Sequence, residues 1–217
     1  MCGSLRDLPV VGIRNGRTRQ ASGIMISVMS KPAASPLTSA TTPLGTEWLD
    51  LGESAWRETV GFGPAGFPAY ARLGLLAPPP PGRGALAQLS GDDGAEVRIL
   101  DAAVSVLTAW TSTPDDAYFL LWDGMPWPES LPRPARPPLT SSARNYYILR
   151  GPLDSLAAGG EEQLDGITPA FIWPADRAWC LACDVDPDWA GIGAPAAAIQ
   201  ALLAAPGLEV TAAERSD

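Results

Sequence analysis

The sequence predicts an α+β domain: a mixed or mainly antiparallel sheet with a few packed helices and long Pro-rich loops, behind a disordered N-terminal tail. Three observations carry that expectation. Helix-period and strand-like segments alternate irregularly instead of in regular βα units. Pro174-Ala-Asp-Arg177 joins two apolar runs, with Pro setting the turn dihedral and Asp able to bond its own backbone, which is a hairpin signal. Gly and Pro number 22 and 23 among 217 residues, too many breakers for an all-helical bundle.

Residues 1–44 are rich in Ser, Thr, Ala, Pro and Gly without apolar periodicity, and read as the disordered tail. The folded domain is expected over 45–212, with a flexible C-terminus at 213–217. Thr46 is placed to cap a helix through Glu47–Arg57, with Glu47 and Asp50 in its first turn. Trp48, Leu51, Ala55 and Trp56 form its apolar stripe. Gly61–Pro68 is a loop, and Tyr70–Leu76 a strand. Ala77–Gly84 (APPPPGRG) is a polyproline break.

Within Gly94–Trp110, Val97, Leu100, Val104, Leu107 and Trp110 recur at three- and four-residue spacing and predict an amphipathic helix. Ala117–Trp122 (AYFLLW) is an apolar run bounded by turn residues, hence a central strand. Residues 125–140 hold six prolines and form a long loop of polyproline II character. Asn145–Leu149 is a strand, and Gly151–Ile167 a loop with room for a short helix. Ala170–Trp173 and Ala178–Asp184 are the hairpin strands, Pro195–Ala204 a final helix and Leu208–Thr211 a closing strand.

Charge is unevenly spread. The chain carries −9, of which residues 1–40 hold +4, leaving −13 on the remaining 177. An acidic body repels phosphate, so nucleic-acid binding is not expected. No run approaches the roughly 18 apolar residues of a membrane span. Gly23–Met29 is too short and polar for a signal-peptide core, so a cytoplasmic location is expected. Arginine outnumbers lysine fourteen to one, the bias of a GC-rich genome, and Met25 and Met29 are alternative starts.

There is no histidine, which removes Ser-His-Asp and Cys-His catalysis and histidine metal ligands. Gly61-Phe-Gly-Pro-Ala-Gly66 matches G-x-G-x-x-G, but it follows a helix instead of a strand and reads as a loop. Cys180-Leu-Ala-Cys183 lacks the second pair a zinc site needs; on a strand the two thiols face opposite sides and read as core cysteines. Asp184-Val-Asp-Pro-Asp188 begins like a calcium loop, but Trp189 and Pro195 stand where Gly and Glu are required. Asp115, Asp116 and Asp123 flank the central strand and are explained by turns. No cofactor or metal is therefore predicted.

The candidate interaction surface comprises Trp122, Asp123, Trp173, Asp176, Arg177, Trp179, Asp184 and Asp186. Two readings compete for the hairpin tryptophans. Trp173 and Trp179 pack into the core or across the turn, or they stand exposed beside Asp176 and Arg177 as a recognition surface, since Trp and Arg dominate interface hot spots. Arg177 is expected to pair with Asp176 or Asp184, or to lie exposed beside an aromatic.

Phe171–Asp186 with Trp189, Tyr118–Gly124 and Tyr146–Leu153 together resemble uncharacterised conserved proteins of high-GC actinobacteria, over about residues 46–212. The helix followed by the aromatic strand Tyr118–Gly124 is also similar to the SUKH (SMI1/KNR4-like) superfamily, and the long proline loop lies outside that pattern. That second resemblance implies an α+β protein that binds a protein partner, in many members a toxin. The alternative is a small carboxylate- and metal-dependent enzyme or ligand-binding domain using Asp123, Asp184 and Asp186.

Overall fold

A computed structural model describes residues 37–43, 45–53, 55–75, 95–129, 131–141, 143–156, 164, 167–183 and 188–215. In chain order its elements are β1 (Thr38–Ala40), α1 (Trp56–Phe62), β2 (Ala69–Gly74), α2 (Ala95–Leu107), β3 (Ala117–Trp122), β4 (Leu139–Thr140), β5 (Asn145–Gly151), β6 (Phe171–Pro174), β7 (Cys180–Ala182), β8 (Trp189–Ala194), α3 (Ala196–Leu203) and β9 (Val210–Ala213). A 3-10 turn, Thr108–Trp110, continues α2.

All nine strands form one antiparallel sheet in the order β1-β5-β3-β6-β7-β8-β2-β9, with β4 paired to β5. The expected α+β class with a mainly antiparallel sheet is what the chain forms. Both faces of the sheet are covered. On one, Val97, Leu100, Val104 and Leu107 of α2 and Ala198, Ile199 and Leu202 of α3 pack on Leu73, Phe119, Leu121, Leu149, Ile172 and Ile192. On the other, Leu49, Leu51 and Val60 cover Tyr118, Leu120, Tyr146, Ile148, Phe171 and Trp173. Two covered faces explain why β3 is a continuous apolar run instead of an alternating one: its odd residues serve one core and its even residues the other.

The first helix lies later than its capping pattern suggests. Residues 45–53 and Ala55 run as turns and irregular chain, and α1 begins only at Trp56. Gly52 sits in the middle of the expected helix and interrupts it. The acidic side chains serve turns instead of a helix N-terminus. Glu47 accepts from Gly45 N at 3.1 and 3.0 Å, Asp50 accepts from Gly52 N at 3.1 Å, and Thr46 Oγ1 donates to Pro43 O at 2.6 Å.

Strand β8 was not expected, because Trp189-Ala-Gly-Ile-Gly-Ala194 carries two glycines, which weaken a strand. Here they are required. A Cβ at Gly191 would run into Gly61 O and lie 2.7 Å from Phe62 Cα, and one at Gly193 would meet the Phe67 ring and Tyr70. Helix α1 therefore rests directly on the strand backbone.

The domain also extends beyond its expected limits. Leu37 is 3% exposed, and β1 pairs with β5, both within the stretch read as tail. Deleting 1–44 would strip that edge. At the other end, Ala213 belongs to β9, and Arg215 donates to Gly63 O at 3.3 Å and pairs with Glu58. Residues 1–36, the expected polyproline break at 77–84, and residues 157–163, 165 and 166 of the expected Gly151–Ile167 loop lie outside the described residues.

Candidate functional site

The hairpin turn is built by Asp176. Its carboxylate accepts from Thr111 Oγ1 (2.8 Å), Ser112 N (2.6 Å), Ser112 Oγ (2.8 Å) and Ala178 N (3.1 Å). The last bond is the expected local turn; the others tie the hairpin to the end of α2. Partial burial pushes the Asp176 carboxyl up, but the Ser112 and Thr111 hydrogen bonds outweigh it and hold it below its ordinary range. Arg177 adopts a left-handed conformation with φ 57°. Its guanidinium pairs with Glu47 at 3.2 Å and lies 5.5 Å from the Trp48 ring centroid. The expected aromatic neighbour is present, and the carboxylate is Glu47 instead of Asp176. Arg177 thus contacts Glu47 and Trp48 in the 45–51 segment.

Trp173 and Trp179 are both 0% exposed and belong to opposite cores, so neither ring offers a surface. They do not pack across the turn, because one faces the core beneath Leu49 and the other that beneath α2. Cys180 and Cys183 likewise divide between the two cores, are free and are buried, and burial pushes the Cys180 thiol up. The match to G-x-G-x-x-G is the end of α1 and the turn after it. Gly63 caps the helix at φ 78°, and a Cβ there would lie 3.1 Å from Cys180 Sγ.

Trp122 and Asp123 stand at the far end of β3. Asp123 N donates to Asn145 O at 3.0 Å, and Asn145 Nδ2 donates to Asp123 Oδ2 at 3.0 Å. The half-buried Trp122 ring covers Gly124, where a Cβ would lie 2.6 Å from Trp122 Cε2. Asp116, at the opposite end of the strand, accepts from Nε and Nη2 of Arg150, at 2.6 and 2.7 Å. Asp184 and Asp186 lie outside the described residues. The six described candidates are therefore not one surface: two are core, two build a turn, and two sit at a strand end.

Beside that strand end is an open depression of about 510 Å³, lined by Leu49, Asp50, Leu51, Gly52 and Glu53 on one side and Leu139, Thr140 and Ser141 on the other. Its lining mixes Leu49, Leu51 and Leu139 with polar groups, and Asp50 and Glu53 make one side acidic. Ser141 Oγ donates to Arg144 O at 2.6 Å and accepts from Arg144 N at 2.9 Å, which sets Arg144 next to the second rim. The Arg144 guanidinium lies 4.5 Å from the Trp122 ring centroid and 5.8 Å from that of Trp56. Both rings are half-buried. Cation–π contact of this kind helps to hold Arg144 in place.

Sequence reasoning found Trp122 and missed Arg144, Asp50, Glu53 and Trp56 as a group. Trp56 was assigned to a helix stripe. Nothing local marks Arg144, because its partners are 22 and 88 positions away in the chain. Among the described residues no three His, Cys, Asp or Glu side chains converge as a metal site, and no helix is long and apolar enough to cross a membrane. No protein-family model, curated protein or solved structure matches the chain.

Proposed function

We propose that this chain is a non-enzymatic protein-binding domain that receives a basic segment of its partner in the depression between residues 49–53 and 139–141. One observation carries the reading: an open depression lined by Leu49, Leu51 and Leu139 with Asp50 and Glu53 on one side, beside Arg144 lying against the Trp122 and Trp56 rings. Half-buried tryptophans and a held arginine are the residue types that concentrate interface energy. The acidic rim and the −13 carried by residues 41–217 favour a cationic partner and speed its approach. With the SUKH-like resemblance, the sharpest form of this function is neutralisation of a basic toxin in the cytoplasm.

The test places a photo-crosslinking residue at exposed Thr140 on the rim, and a control at exposed Ala204. Crosslinked in cells, the Thr140 probe is expected to yield one protein adduct of defined mass that the Ala204 probe does not. Untagged chain competes it away, and Asp50→Lys with Glu53→Lys abolishes it. Equal labelling from both positions, or none, overturns the proposal.

A further inference from the structure

The two ends of the sheet are finished differently. At one end β1 is tethered, with Ser39 Oγ donating to Pro132 O at 2.9 Å and Thr38 Oγ1 to Arg150 O at 3.0 Å. At the other end, among the described residues, β9 pairs with β2 alone. Its register with β2 tells which of its backbone groups are free. Gly74 N donates to Glu209 O at 2.8 Å, so residues 209, 211 and 213 turn their peptide groups toward β2. Val210 and Ala212 therefore turn their N–H and C=O groups away from the sheet. Edge strands usually carry a charge or a proline that blocks further pairing. Val210-Thr-Ala-Ala213 has neither, and its charges, Glu209 and Glu214, lie just outside it. Helix α3 packs on β2 and β9, and its Leu203, at 37%, is the exposed large hydrophobic side chain among the described residues.

We propose that β9 is the interface of a twofold dimer, pairing antiparallel with β9 of a second copy and centred on Thr211. Strand parity restricts the possible registers, and this arrangement is among those it allows. Only residues with outward peptide groups can form hydrogen-bonded pairs, so Val210 must face an even-numbered residue of the other copy. Val210 opposite Ala212 satisfies this in both directions and closes four hydrogen bonds. The register that would set Glu209 against Glu214 has the wrong parity and is forbidden. Thr211 then meets Thr211 across the axis as a non-hydrogen-bonded pair, a favourable cross-strand match on a face where it is exposed. Like charges never meet, and the edge is self-complementary, as a closed twofold requires. The two nine-stranded sheets become one.

The full chain is expected to sediment as a dimer at about 100 µM, a concentration-dependent state. Ala212→Pro removes one outward N–H and no bond to β2, so it should yield a monomer whose melting temperature stays within about 2 °C of the parent. Independently, in a Cys2→Ser background, Thr211→Cys should oxidise to a covalent dimer, because facing non-hydrogen-bonded residues stand about 4.5 Å apart. Ala213→Cys should not, since it faces Glu209. A chain that stays monomeric at that concentration, leaving the edge to a strand of another protein, overturns the proposal. So does a dimer that survives Ala212→Pro, or equal crosslinking at 211 and 213.

Discussion

Replacing Trp173 by alanine tests the two-core reading of the sheet. The ring is fully buried, stacks on Tyr118 at 5.3 Å with 12° between planes, and meets the Trp48 ring edge-on at 6.0 Å. Emptying a buried aromatic site costs about 3–5 kcal/mol. Each favourable ring pair contributes about 0.5–1.5 kcal/mol beyond area. The buried Trp173 Nε1 has no hydrogen-bond partner, so no hydrogen bond is lost. The expected loss is therefore about 4 kcal/mol, a fall of roughly 8–16 °C in melting temperature for a chain of this size. Trp173→Phe keeps a ring on Tyr118 and should lose only about 1–2 kcal/mol. Urea unfolding followed by circular dichroism measures both. Trp179 lies in the opposite core, so Trp179→Ala should add to Trp173→Ala within about 0.5 kcal/mol. A Trp173→Ala protein that loses less than about 1.5 kcal/mol would refute the reasoning, because only an exposed ring is released so cheaply.

Acid should expose the carboxylates that hold the turns. The Arg150 hydrogen bonds keep the Asp116 carboxyl below its ordinary range, and its neighbours do the same for Asp176 against the opposing effect of burial. Depressed carboxylates add stability that is complete above their unfolded pKa near about 4 and is lost as pH falls through the lower folded values. The melting temperature of the parent should thus fall more steeply than that of Asp116→Asn between about pH 5 and pH 2; parallel curves would contradict this. Gly191→Ala drives a Cβ into the backbone of α1, so it should cost more than about 3 kcal/mol or prevent folding. Gly207→Ala meets nothing within 4 Å and bears only the strain of φ 83°, about 1–2 kcal/mol. Equal costs in urea would show that α1 does not rest on β8.

The candidate site was only partly legible. Turn chemistry correctly put Asp176 in its local bond, and the low frequency of buried unpaired charge left Arg177 either a carboxylate partner or an exposed place beside an aromatic. Which carboxylate answers depends on where the 45–55 segment crosses the sheet, and that is a long-range fact. The choice between core and surface for Trp173 and Trp179 also lay beyond local pattern. A tryptophan on a strand has the same sequence signature on an open face as on a covered one, and here a second layer covers each face. Arg144 came into view only once β3, β5 and α1 were assembled around it.

By itself the sequence determined the fold class, the bounds of α2, β3 and α3 to within a few residues, the hairpin at 174–177 and the exclusion of histidine chemistry. Those rest on local causes: apolar spacing, turn dihedrals and residue inventory. Tertiary structure alone decided the rest. Gly191 and Gly193 look like strand breakers until α1 and Phe67 press against them. Thr38–Ala40 reads as tail until β5 supplies its hydrogen bonds. Gly52 and Glu47 convert an expected helix into turns because the sheet rewards Leu49 and Leu51 for lying flat on it. In each case the stabilising partner lies far along the chain, where no local window can see it.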